Sequence, residues 1–149
     1  MLIPTALSAV FSDMTEYISH SLQDTDRIAK EIASTLKGNE VVAMRGGLGV
    51  GKTTFTRSFV SAFGVKDGVH SPTFAIVNEY NGTVPVYHFD MYRVCDEDDL
   101  YSTGFYDYLG KGLIIIEWSE NVQELLPEDS VIIELSYGEN ETSRVIKRM

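Results

Sequence analysis

The chain has 149 residues, 44% hydrophobic and 23% charged, a balance that excludes a disordered polypeptide and fits one globular domain able to bury its own core. A formal net charge of -10 repels phosphate backbones, so the chain is not expected to grip nucleic acid on its own. One cysteine, Cys95, excludes an internal disulfide and a cysteine zinc site and suits a reducing cytoplasm, and no apolar run reaches the roughly 20 residues of a membrane helix.

In chain order, the opening MLIPTALSAVFSDM is mildly apolar but has no basic residue ahead of its apolar part, so it makes a poor signal peptide. Residues 1–13 are read as an N-terminal extension, ahead of a single domain over 14–149. Asp24 and Thr25 are plausible caps for a helix running to about Leu36, because Ile28, Ile32 and Leu36 recur every four residues with Ala29 and Ala33 beside them. VVAM, 41–44, is a short apolar run bounded by glycines and predicts a buried strand. TTFTRSFVSAF predicts a helix ended by Gly64. FAIVNEY and VPVYHFD predict two strands joined at Asn81-Gly82, a hairpin signal. DEDDLYSTGFYDYL begins with acids, as a helix N-terminus prefers, and Gly104 should break it in two. LIIIEW, 113–118, is the purest buried strand; SVIIELSY and SRVIKRM read as closing strands around a turn at 138–140. The expected fold is α/β: a mixed sheet flanked by helices, with an antiparallel hairpin after the first loop helix.

Between the first buried strand and its helix lies RGGLGVGKTT, which fits GxxxxGK(S/T) at Gly46, Gly51, Lys52 and Thr53. The pattern arises by accident in about half a percent of chains of this length, and its strand–loop–helix setting sharpens it. Glycines let the backbone N–H groups of Gly46, Gly47, Leu48, Gly49, Val50 and Gly51 turn inward around phosphate oxygens. The helix N-terminus adds partial positive charge. Lys52 can reach the outer phosphates and the Thr53 hydroxyl can ligate magnesium, with Thr54 next along.

Cleavage of a triphosphate also needs a carboxylate, usually ending an apolar strand beside the loop's own strand. Glu117 ends LIIIE and Asp90 ends VYHFD. Glu117 is assigned to magnesium and the attacking water, since its strand is purer and lacks a hairpin neighbour. Asp90 is then a second acid, near the outer phosphate or facing a partner. Thr73, in the loop SPT at 71–73, reads equally as a switch-loop ligand of magnesium or as part of a proline-set turn. Trp118 could touch the nucleotide or a partner, or simply be a packed aromatic. His88 reads as a packed histidine, Arg57 and Arg93 as solvated arginines, and the acidic block 96–99 as a solvated helix start.

The loop GGLGVGKTTFTR, then HSPTF, YHFDMYR and LIIIEWSE, in this order and spacing, resembles the TsaE family (also called YjeE or YdiB) over roughly residues 14–149. YHFDMYR and EWSE are far more specific than the phosphate loop. The resemblance implies a P-loop NTPase-type fold, ATP or ADP with magnesium, and a cytoplasmic role in making threonylcarbamoyladenosine next to the tRNA anticodon. It implies two protein partners, TsaB and TsaD, with tRNA reached through them. Carried over by position, Lys52, Asp90 and Glu117 are catalytic and Thr53 and Glu117 hold the metal. Gly46 to Thr54, Thr73 and Trp118 bind nucleotide, and Thr25 matches a threonine common near the first helix. The family usually has aspartate where this chain has Gly47, which puts in doubt a partner contact or water position, not phosphate binding.

Two rival readings remain. A small-molecule kinase of this fold needs an acceptor pocket and usually an arginine-bearing lid, and no arginine cluster follows the first helix. A nucleotide-dependent binding switch with negligible hydrolysis fits the same residues. A GTPase is disfavoured, because no NKxD-like guanine-reading motif appears.

Overall fold

The computed structural model describes residues 14–66, 68–69 and 77–149. Seven strands build one sheet: β1 (Thr15–Ser19), β2 (Val41–Arg45), β3 (Val77–Asn81), β4 (Pro85–Asp90), β5 (Leu113–Glu117), β6 (Val131–Tyr137) and β7 (Arg144–Arg148). Their order across the sheet is β1-β7-β6-β2-β5-β4-β3. The central strands β6, β2, β5 and β4 run parallel. Antiparallel partners close both edges: β7 with β6, β1 with β7, and β3 with β4. The expected mixed sheet and its hairpin are both present.

The central strands are apolar because both their faces are covered. All five residues of β5 are buried, as are the first four of β2. Alternation along each strand sends neighbours to opposite faces. Val42, Met44, Ile115 and Ile133 pack with helices α1 (Leu22–Ala33) and α2 (Lys52–Ser61), through Ile28, Ile32, Phe55 and Phe59. Val41, Ile114, Ile116 and Phe89 pack on the other face with Leu100, Phe105 and Val122. These come from the short helices α3 (Glu97–Ser102) and α4 (Phe105–Tyr108) and a 3-10 segment, Ser119–Leu125. Burying each such side chain contributes about 1.5–3 kcal/mol, which is why the sheet centre sets the stability of the loops it carries.

Two local expectations are corrected, and one strand had no expectation. The N-cap of α1 is Ser21, not Asp24 or Thr25: its hydroxyl accepts from the Asp24 N–H at 3.0 Å, and Asp24 Oδ2 accepts from the His20 N–H at 2.9 Å. The arrangement resembles a capping box, except that the Asp24 carboxylate reaches past the cap to the N–H of the preceding residue, His20. Helix α1 ends at Ala33 rather than near Leu36, whose side chain still packs against the core. Strand β1 was not foreseen. It is an edge strand with alternating burial, and its partner β7 lies at the opposite end of the chain. The break at Gly104 is as expected, with φ 80° separating α3 from α4.

Candidate functional site

The phosphate loop leaves β2 at Arg45 and enters α2 at Lys52, so a central buried strand fixes one end and a core helix the other. Gly46 adopts φ 148°, and a Cβ there would meet the Leu135 carbonyl oxygen at 2.7 Å. Only glycine fits that approach. Gly47, Leu48 and Gly49 are exposed at the tip, and Val50 is buried beneath it. Helix α2 starts on Gly51 without a side-chain cap, so its first N–H groups face whatever the loop encloses. Lys52 Nζ donates to the Gly46 carbonyl at 2.6 Å and stands 4.8 Å from the centre of the Trp118 ring. Thr53 and Thr54 follow, both half-buried in the first turn of α2.

Glu117 and Asp90 are register partners at the ends of the parallel pair β5 and β4. Val86 and Ile115 belong to the core on the α2 face, so alternation turns Asp90 and Glu117 to the face where α2 begins. Glu117 is 3% exposed. Asp90 is half-buried, and its Oδ1 accepts from the Tyr92 N–H at 2.9 Å. The strand ends are fastened to each other. Met91 N–H donates to the Glu117 carbonyl at 3.0 Å, and Asn121 Nδ2 donates to the carbonyls of Met91 and Tyr92. Ser119 Oγ donates to the Met44 carbonyl at 3.0 Å, tying the end of β5 to the start of the loop. Between these ties Trp118 takes φ 59°, a left-handed conformation that costs a bulky residue energy and marks a site the surroundings enforce. Tyr92 meets the Trp118 ring edge-on at 4.9 Å.

The sequence-predicted residues thus fall into two groups around one loop. Lys52, Asp90, Glu117 and Trp118 gather on one side. On the other, a cleft of about 530 Å³ is lined by Ser21, Thr25, Gly49, Thr54, Leu135 and Arg144, among others. Thr25 Oγ1 shares a hydrogen bond of 2.7 Å with Ser19 Oγ, which locks that wall. Ser71, Pro72 and Thr73 lie outside the described residues. Arg57 and Arg93 are exposed, as is the acidic block 96–99. His88 is buried as expected, but its Nε2 lies 3.6 Å from Glu117 Oε2, which strand alternation alone did not reveal.

Sequence reasoning missed Arg144. Its Nε donates to the Val50 carbonyl of the loop at 2.9 Å, and its Nη1 to the carbonyls of Glu141 and Ser143. The guanidinium also stacks 4.4 Å from the Tyr137 ring centre. No local motif surrounds it, so the sequence held no signal for a contact spanning 94 residues.

Among the described residues no cluster of three or more His, Cys, Asp or Glu could cage a metal. A hydroxyl and carboxylates beside a phosphate loop are instead the hard oxygen set that magnesium takes together with phosphate oxygens. Thr53, Glu117 and Asp90 fit that chemistry. Among the described residues no helix is long and apolar enough to cross a membrane.

A phosphate loop between a central parallel strand and a helix, with acids at neighbouring strand ends, defines a P-loop nucleotide-binding α/β protein. The family model described as threonylcarbamoyl adenosine biosynthesis protein TsaE matches residues 19–146, and the chain belongs to the TsaE family. The tRNA threonylcarbamoyladenosine biosynthesis protein TsaE of Bacillus subtilis (strain 168) is 41% identical over 113 residues, 74% of this chain and 70% of the relative. That of Aquifex aeolicus (strain VF5) is 43% identical over 110 residues, 72% and 78% of the two chains. The fold is similar to the crystal structure of Bacillus subtilis YdiB, with a TM-score of 0.68 and 30% identity over 91% of this chain and 84% of the other.

Proposed function

We propose that the protein is a magnesium-dependent ATPase of tRNA threonylcarbamoyladenosine synthesis, slow alone and stimulated within a complex with TsaB and TsaD in the cytoplasm. The observation that carries this reading is the in-register pairing of Asp90 with Glu117, both turned to the face of the loop helix. Family membership supports the pathway.

The chain's residues then divide the work. The N–H groups of Gly46 to Gly51 and the first turn of α2 hold the phosphates. Lys52 exchanges the Gly46 carbonyl for phosphate oxygens. Thr53 and Glu117 would hold magnesium, whose charge there offsets that of the phosphate oxygens. Glu117 also orients the attacking water, and Asp90 acts as the second acid. Thr25 and Thr54 place the adenosine in the cleft beside Arg144. Thr73 joins from its loop when the outer phosphate is present, and Trp118 packs over the phosphate end. The exposure of Arg57 and Arg93 leaves part of the developing charge to a partner, which supports slow turnover in isolation. Residues 1–13 act as an extension to a single ATPase domain over 14–149.

ATP hydrolysis with magnesium, measured for the protein alone and after adding TsaB, TsaD and substrate tRNA, tests this. Stimulation by the partners is the expected result. Tight nucleotide-dependent association without stimulation would replace the ATPase with a binding switch. No association, together with a phosphorylated acceptor in a metabolite screen, would favour a kinase.

A further inference from the structure

His88 lies on β4 two residues before Asp90, is fully buried, and has a hydrogen-bond partner at neither ring nitrogen. An imidazole in water has partners at both, so folding leaves this one undersatisfied, an arrangement that calls for a compensating role. Its register partner is Ile115, which puts the ring one strand over and two residues deeper than Glu117. Nε2 is 3.6 Å from Glu117 Oε2, too long for a hydrogen bond but a small rotation from one. The Tyr80 ring flanks the imidazole, with centroids 6.4 Å apart, and limits how it can turn. A glutamate has three rotatable bonds, and burial by itself does not choose among its rotamers. A donor on the core side fixes one carboxylate oxygen and, through the planar group, the direction of the other.

We propose that His88, with its proton on Nε2, is a positioning residue that steers Glu117 from the core side, so that the carboxylate meets magnesium and nucleotide in one orientation. The inference rests on the proposed role of Glu117 and adds the group that aims it, much as metal-binding side chains are oriented by partners behind them.

The test uses the full chain and its single tryptophan, Trp118, whose place beside Lys52 makes its fluorescence a reporter of nucleotide binding. ATP affinity is measured with and without magnesium for the wild type, His88→Gln, His88→Met and Glu117→Gln. Gln and Met are close in shape but only Gln carries a donor, so their difference isolates the hydrogen bond. The wild type should gain affinity with magnesium. His88→Met should lose about tenfold of that gain with its magnesium-free affinity unchanged, and His88→Gln should restore most of it. In a Glu117→Gln background the two His88 variants should behave alike. A His88→Met protein that melts cooperatively and keeps the full gain overturns the inference, as does equal loss in both His88 variants. If Glu117→Gln itself keeps the gain, or the wild type shows none, the reading of Glu117 falls first and this one with it. Nitrogen NMR of the wild-type histidines needs no substitution: a proton on Nδ1 of His88 rather than Nε2 also overturns it.

Discussion

Gly46 and Gly47 are adjacent, yet the fold demands only the first. Gly46 combines a left-handed φ with a backbone oxygen 2.7 Å from where a Cβ would stand. At Gly47 no atom lies within 4 Å of an added Cβ, and φ is not positive. Glycine at 47 therefore answers no backbone requirement. Gly46→Ala should cost about 1–3 kcal/mol and abolish ATP binding, because the loop must open to admit the methyl group. Gly47→Asp should fold with a melting temperature within about 2 °C of wild type, since it restricts the unfolded chain without straining the native one. Its ATP affinity should stay within about threefold, the aspartate being added to an exposed tip. Paired melts and Trp118 titrations check both. A Gly47→Asp protein that cannot bind ATP would place that side chain inside the phosphate site.

At the scale of elements, position in the sheet decided what could be read in advance. LIIIE and VVAM announce themselves because burial on both faces removes every polar residue but the terminal acid. The loop, both carboxylates, the Gly104 break and the hairpin are likewise local patterns. Strand β1 is not: TEYIS holds three polar residues and is defined by pairing with β7, which no local pattern encodes. The same nonlocality hid Arg144 and the cleft. The α1 cap was misread for a different reason. Ser21 and Asp24 are both good capping residues, and each accepts a backbone N–H at this helix start, so sequence preference alone could not rank them. The connection from α1 into β2 offers a test of another local device. Glu40 accepts the N–H groups of Lys37, Gly38 and Asn39 at 2.8, 2.8 and 3.0 Å. Partial burial alone would raise its pKa, but these N–H groups outweigh that and hold the carboxyl below its ordinary value of 4.5. A carboxyl whose folded pKa is depressed contributes stability above its unfolded pKa and loses it as pH falls through the folded one. Glu40→Gln should therefore be less stable than wild type at pH 7, by at most about 1 kcal/mol for so accessible a group. The gap should close as pH drops from about 4.5 downward. Urea midpoints of both proteins at pH 7 and near pH 3 measure it, and a gap that widens in acid would contradict the argument.

For the whole molecule, the charge of -10 constrains how a protein of this family can serve a tRNA pathway. Binding to nucleic acid draws most of its affinity from cations placed on phosphates, each releasing a counterion. This chain has 12 basic residues against 22 acidic ones. Several of the basic ones are already engaged. On α1, Arg27 lies 3.8 Å from both Asp24 and Glu31, and Lys30 lies 2.9 Å from Asp26. Arg144 is spent on loop and turn carbonyls, and Lys52 on the phosphate loop. Exposed pairs are individually weak, but each places an acid beside the cation a phosphate would need. The isolated protein should therefore retain no labelled tRNA on a filter at about 0.15 M salt, where nonspecific binders hold at about 10⁻⁴–10⁻⁶ M. Lowering salt to about 0.05 M should not rescue retention, because few counterions would be released and long-range repulsion strengthens as screening weakens. If the proposed complex with TsaB and TsaD forms, adding those two proteins should bring tRNA and this protein together, with the salt sensitivity set by them. Retention by the isolated chain with a steep salt dependence would mean that a basic surface on this protein meets tRNA directly, and the division of labour between it and its partners would have to be redrawn.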